Sequence, residues 1–123
     1  MAKKRILIID DELELIKAVQ IRLQQADYEA LVAYDGQEGL EKAKKENPDL
    51  IILDLMLSKM DGYKVCGLLK ADTRYHKIPI IMFTARVQES DKKMGREMGA
   101  DAYITKPFDH QILLDKIKEL IQE

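Results

Sequence analysis

The chain has 123 residues, 46% of them hydrophobic and 34% charged, with a formal net charge of −2. That length fits one compact domain over residues 1–123, and the near-balanced charge gives no global field to draw it onto nucleic acid or an anionic membrane. The single cysteine, Cys66, excludes an internal disulfide, and no apolar run approaches the roughly 20 residues needed to cross a bilayer. With no apolar segment behind the basic start, a reduced cytoplasmic location is expected.

Short β-branched runs alternate with longer segments of helical period. Ile6-Leu7-Ile8-Ile9 is apolar at every position, as in a strand covered on both faces. Leu13, Ile16, Val19 and Leu23 then mark the apolar stripe of a helix ending near Asp27. A second strand, Glu29 to Ala33, leads to Asp35, which can cap a helix with Glu38 completing a capping box. Asn47-Pro48 stops that helix. Leu50 to Leu53 is the third strand, and Asp61-Gly62 turns the chain into a helix carrying Val65, Leu68 and Leu69, where Cys66 reads as a small buried hydrophobe. Pro79 precedes the fourth strand, Ile80 to Phe83. A weakly apolar helix from about Glu89 to Met98 follows, with Met94 and Met98 as its thin seam and Gly99 as its stop. Ala102 to Ile104 is the fifth strand, and Asp109 caps a last helix with Ile112, Leu113, Ile117, Leu120 and Ile121. Such alternation implies a parallel sheet with right-handed crossovers and helices on both faces.

In sheets of this kind ligands bind beyond the carboxyl ends of the strands. Just past those ends stand Asp10 and Asp11, Asp54, Thr84 and Lys106. Three carboxylates, a hydroxyl and an ammonium should therefore share one rim. Two like charges 4 Å apart repel by ~4 kcal/mol at an effective dielectric near 20. Lys106 offsets part of that, and a hard divalent cation such as Mg²⁺ or Mn²⁺ would offset more. With the metal in place the rim could hold a phosphoryl group, with Asp54 as nucleophile. Glu12 and Glu14 read as first-turn acids favoured by the helix dipole. His76 and His110 read as surface residues, and the runs Lys3-Lys4-Arg5 and Lys42, Lys44, Lys45 as solvated surface.

Asp10-Asp11, Asp54, Thr84 and Lys106-Pro107, with Met60-Asp61-Gly62 and Gly99-Ala100-Asp101, resemble the receiver domains of bacterial response regulators. The resemblance runs from Lys4 to Ile121. It implies a flavodoxin-like, doubly wound (βα)5 fold with the five-stranded parallel sheet in order 2-1-3-4-5. Asp54 then matches the phosphoacceptor, Asp11 a direct Mg²⁺ ligand, Asp10 an acid acting mostly through water, and the Met56 carbonyl a backbone ligand. Thr84 and Lys106 match the pair that engages the phosphoryl group, and Tyr103 the aromatic switch position. The Lys106-Pro107 bond matches one that is cis in the family, an isomer that would aim Lys106 into the cleft.

Two departures matter. Ser58 stands where many members have proline, which should loosen the loop after Asp54. Met56 and Arg86, two residues beyond Asp54 and Thr84, stand where members that lose phosphate quickly carry polar or acidic groups, so slow self-dephosphorylation is expected. The implied donor is a sensor histidine kinase or a histidine phosphotransfer protein. The implied target is a downstream effector or a fused output domain, met through the face formed by the fourth helix, fifth strand and last helix, with a phosphorylation-dependent dimer as another use of that face. No direct nucleic-acid or membrane contact is expected, and no enzymatic turnover beyond the domain's own phosphorylation and dephosphorylation.

Three other readings meet obstacles in the residues. A haloacid-dehalogenase-like phosphatase or phosphomutase needs a second acid two residues after the nucleophile, where Met56 stands. A flavodoxin-like cofactor binder needs a Ser/Thr/Gly-rich phosphate loop after its first strand, where Asp10-Asp11-Glu12 would repel phosphate. A degenerate receiver used only for binding usually lacks one of the five key residues, all of which are present. Whether these residues are a complete single-domain regulator or the receiver of a longer protein stays open at this point.

Overall fold

The computed structural model describes residues 2–85, 93, 94 and 96–121. Five strands, β1 (Arg5–Ile9), β2 (Glu29–Ala33), β3 (Leu50–Leu53), β4 (Ile80–Thr84) and β5 (Ala102–Thr105), form one parallel sheet in the order β2-β1-β3-β4-β5. Four helices are complete among the described residues: α1 (Leu13–Gln25), α2 (Gly36–Glu46), α3 (Gly62–Ala71) and the C-terminal α4 (His110–Ile121). The order implied by the resemblance is the one observed.

Strand side chains alternate between the faces, and so divide the core in two. Ile6, Ile8, Ile52, Ile81 and Phe83 pack with Ile16, Val19 and Leu23 of α1 and with Leu113 and Ile117 of α4. On the opposite face Leu7, Ile9, Ile51, Leu53, Ile80 and Met82 pack with Ala43 of α2 and with Val65, Cys66 and Leu69 of α3. β1, β3 and β4 are buried on both faces, which explains their uninterrupted apolar runs. Burying one Leu or Ile of this kind stabilises by about 1.5–3 kcal/mol.

Local chemistry sets the helix ends. Asp35 accepts from the Glu38 N–H at 2.8 Å, while the Glu38 carboxylate accepts from the Tyr34 N–H at 2.6 Å. The reciprocal capping pattern is thus present, reaching one residue further back than the usual box. Asp61 caps α3 through the Lys64 N–H at 2.9 Å, and Asp109 accepts from the Gln111 N–H at 2.8 Å at the start of α4. Asn47 ends α2 in the left-handed region at φ 48°, a conformation asparagine tolerates better than most residues.

Three apolar residues expected in helix stripes are exposed. Leu13 is 58% exposed, because α1 begins beyond the end of β1 and its first turn overhangs the sheet. Ile112 is also 58% exposed, since Leu113 and Ile117 take the buried stripe of α4 and Ile112 lies about 100° from it. Leu68, at 43%, flanks an open groove that Met98 also lines. Half of the helix expected over Glu89 to Met98 lies outside the described residues, as does Arg86. Its end is visible: the Met98 N–H donates to the Met94 carbonyl and the Gly99 N–H to that of Arg96. Gly99 turns the chain at φ 95°, where an added Cβ would also meet the Lys70 side chain. Met94 and Met98 are each more than one-third exposed, so the seam they were expected to form is only partly covered.

Candidate functional site

The strand register sets the site. β1 and β3 pair with Ile9 opposite Leu53, so the next residues, Asp10 and Asp54, emerge side by side at the carboxyl rim. β4 and β5 pair with Thr84 opposite Thr105, which delivers Thr84 and, one residue later, Lys106 to the same rim. The Lys106-Pro107 bond is cis. Asp10, Asp54 and Thr84 are the buried polar or charged residues among those described.

Lys106 is the centre of this cluster. Its Nζ lies 2.9 Å from Asp10 Oδ2, 3.4 Å from Asp54 Oδ2 and 3.7 Å from Glu12 Oε1. The ammonium also stands 5.5 Å from the Phe83 ring centroid, and Phe83 is held edge-on by Phe108 at 5.1 Å. Asp10 is tied at both oxygens, because Oδ1 accepts from the Glu12 N–H at 3.0 Å. Asp54 has longer contacts and one partner more: its Oδ1 accepts from the Met56 N–H at 3.2 Å, its Oδ2 lies 3.4 Å from Lys106, and Thr84 also donates to this carboxylate.

The electrostatics follow from this packing. Burial, then the charge of Asp10, push the Asp54 carboxyl above its ordinary range, against the opposing pull of Lys106, the Met56 N–H and a hydrogen bond from Thr84. Burial disfavours the Lys106 ammonium, but its hydrogen bond to Asp10 and the charges of Asp10 and Asp54 outweigh that and raise its pKa. Among the described residues Lys106 is thus the cation shared by Asp10, Asp54 and Glu12. Asp10, Asp11 and Asp54 each present an oxygen within 4.8 Å of the others, with Asp11 exposed. Hard oxygen donors so placed fit a divalent cation of the Mg²⁺ type.

Residues 6–118 match the response regulator receiver domain. The chain belongs to that family. It is 42% identical over 119 residues to the alkaline phosphatase synthesis transcriptional regulatory protein PhoP of Bacillus subtilis (strain 168), covering 97% of this chain and 49% of that protein. It is 46% identical over 118 residues to the DNA-binding dual master transcriptional regulator RpaA of Synechocystis sp. (strain ATCC 27184 / PCC 6803 / Kazusa), covering 96% and 49%. The receiver domain thus spans about half the length of these curated relatives. Among solved structures, the chemotaxis response regulator CheY4 of Vibrio cholerae superposes with a TM-score of 0.90 at 31% identity, covering 97% of this chain and 99% of that one.

The receiver domain gathers Asp10, Asp11, Asp54, Thr84 and Lys106 as their positions past the strand ends require. Met56 follows Asp54 with a side chain 59% exposed, while Arg86 lies outside the described residues. Tyr103 sits half-buried on β5 against the α2/α3 face of the core, beside a cavity of about 250 Å³ lined also by Arg96 and Asp101. The loop expected to loosen for want of proline at Ser58 is anchored: the Ser58 carbonyl accepts from Gly36 at 3.2 Å and Met60 at 2.7 Å, and Lys59 reaches Asp35 at 3.6 Å. Two participants escaped sequence reasoning. Glu12 occupies the N-cap position of α1 without making a side-chain cap, and its carboxylate faces Lys106 instead. Phe83, read only as a strand residue, lies under the ammonium. The adjacency of Glu12 to Asp10-Asp11 was the available signal for the first; nothing in the sequence pointed to the second. No helix among the described residues is long and apolar enough to cross a membrane.

Proposed function

We propose that this receiver domain accepts a phosphoryl group on Asp54 from the phosphohistidine of a sensor histidine kinase or a histidine phosphotransfer protein. The observation that carries the reading is the convergence of Asp10, Asp54, Thr84 and Lys106 on one rim, with Lys106 the only cation paired to the buried carboxylates among the described residues. Asp54 is assigned as the nucleophile because Lys106 holds it more loosely, at 3.4 Å, than it holds Asp10, at 2.9 Å. The Asp54 oxygen bonds to phosphorus as the bond to the histidine nitrogen breaks, and the electron pair leaves with that nitrogen. Lys106 and Thr84 engage the phosphoryl oxygens, a positioning and electrostatic task rather than a covalent one. Mg²⁺, or Mn²⁺ in its place, held by Asp10, Asp11, Asp54 and the Met56 carbonyl, would supply the positive charge that one lysine cannot.

The remaining roles belong to the same proposal. Drawing Thr84 toward the phosphoryl group frees space that the Tyr103 ring takes up, which biases the face carrying β5 and α4 between two arrangements. That face meets a downstream effector, a fused output domain or a second phosphorylated copy. The transcriptional relatives carry a further half beyond the matched region, so contact with nucleic acid is assigned to such an output part and not to residues 1–123, which form one domain. Apolar Met56 beside the long Arg86 side chain hinders an attacking water, and self-dephosphorylation is slow. The domain catalyses only these steps on itself.

Intact-mass spectrometry after incubation with phosphoramidate and Mg²⁺ tests the reading. A metal-dependent gain of one phosphoryl group in wild type, absent in Asp54→Ala, is the expected result. No gain in wild type would leave a module that binds partners without phosphate. Loss of the group within a minute from the isolated domain would sink the slow-dephosphorylation part alone.

A further inference from the structure

The role of Glu12 goes beyond the resting cleft. It lies 3.7 Å from Lys106 yet is 62% exposed at its side chain, and so stands at the mouth of the site, outside the buried cluster. It also lines a cavity of about 420 Å³ with Leu15, Ala85, Lys106, Pro107 and Phe108, in which, among the described residues, it is the only acid and Lys106 the only cation. Attack by Asp54 from the floor of the cleft sends the leaving group outward, in line with the forming bond. Lys106 and Ala85 both line this cavity, so a donor lying over Lys106 would come within reach of the Glu12 carboxylate.

Resting on the phosphoryl-transfer reading above, we propose that Glu12 is a specificity-determining residue whose carboxylate favours donors that release a neutral nitrogen over donors that release a carboxylate. Phosphoramidate reacts as a zwitterion, with a protonated amine nitrogen bonded to phosphorus. The Asp54 oxygen bonds to that phosphorus, the P–N bond breaks, and its electron pair leaves on ammonia. The nitrogen is cationic on arrival and keeps part of that charge in the transition state, so measured from the free donor a nearby carboxylate favours the reaction. With acetyl phosphate the P–O bond breaks and the electron pair leaves on acetate. Negative charge then grows in the transition state beside the fixed charge of Glu12, and like charges at this range oppose it. The apolar wall of Leu15, Pro107 and Phe108 suits a flat aromatic nitrogen base, such as imidazole, better than acetate.

The test compares Mg²⁺-dependent phosphorylation rates of wild type, Glu12→Gln and Glu12→Asp with acetyl phosphate and with phosphoramidate. Glu14→Gln, which removes the same charge from the exposed first turn of α1, is the control. The ratio of the acetyl phosphate rate to the phosphoramidate rate is expected to rise by roughly threefold or more in Glu12→Gln, the scale of one partly screened charge contact. It should rise less in Glu12→Asp and stay unchanged in Glu14→Gln. Calorimetric Mg²⁺ affinity in Glu12→Gln should stay within about twofold of wild type, since Glu12 lies outside the three-carboxylate cluster. Equal rate changes with both donors, an equal shift in Glu14→Gln, or a large loss of Mg²⁺ affinity would overturn the proposal. Failure of wild type to react with either donor would instead overturn the phosphoryl-transfer reading, and this inference with it.

Discussion

The two ends of the sheet handle charge in opposite ways. At the amino rim Arg5 donates to Glu29 at 3.1 Å, to the Glu46 carboxylate and carbonyl at 2.7 Å each, and through its backbone to Asp49 at 2.7 Å. Lys70 there gives its three protons to the carbonyls of His76 and Ile78 and to Asp101, which also accepts from the Ile80 N–H. At the carboxyl rim the two buried carboxylates share Lys106 among the described residues, and burial holds the Asp54 carboxyl above its ordinary range. The amino rim satisfies its charges where water and backbone can help; the carboxyl rim keeps a surplus where neither suffices. That surplus marks the end where the proposed chemistry would take place, since a bound divalent cation would relieve it.

Removing Lys106 should have the largest effect. Lys106→Met leaves Asp10 and Asp54 facing each other without compensation, and urea unfolding in EDTA should show a loss of about 3 kcal/mol, the low end for a broken buried pair. Millimolar Mg²⁺ should recover part of it.

Asp54→Asn acts in the other direction. Without metal it should gain about 1 kcal/mol near neutral pH, the scale of a single relieving substitution. The sign follows from the raised pKa. The folded state holds the Asp54 proton more tightly than the unfolded chain, so a penalty builds as pH rises from the ordinary value of 3.8 through the raised one and persists above it. The advantage of the variant should therefore vanish in acid. Mg²⁺ should stabilise wild type more than the variant, and thermal melts at several pH values with and without the metal read both effects.

Arg5→Ala marks the contrast at the other rim. It should cost about 1 kcal/mol or less, shrink in high salt, and leave phosphorylation rates unchanged. The smallest effect separates burial from function. Cys66 is fully buried with its thiol pushed up to about 11, so iodoacetamide at pH 8 should leave it unmodified in the folded protein and label it only in urea.

The same contrast explains what could be read from the residues beforehand. The runs at Ile6 to Ile9, Leu50 to Leu53 and Ile80 to Phe83 announced buried strands, and Asp35 with Glu38 announced a helix start, because these signals are local. The residues past the strand ends pointed to one rim because a parallel sheet leaves them nowhere else to go. Leu13, Leu68 and Ile112 fit a helical period but not the final packing, since period alone does not say where a helix overhangs the sheet or which edge of a stripe stays wet. Glu12 looked like a dipole-favoured acid because its partner, Lys106, lies 94 residues away in the chain. The three acceptors of Lys70 were hidden for the same reason: two are backbone carbonyls, which no side-chain pattern marks.

The central claim, that the under-compensated rim exists to carry a phosphoryl group on Asp54, is tested most directly by trapping the product. Borohydride reduction after incubation with phosphoramidate and Mg²⁺, followed by peptide mapping, converts an acyl phosphate to homoserine at the residue that held it. Homoserine at position 54, dependent on Mg²⁺ and absent elsewhere, is the expected result. Homoserine at Asp10 or Asp11, or none at all in protein shown to bind Mg²⁺, would contradict it.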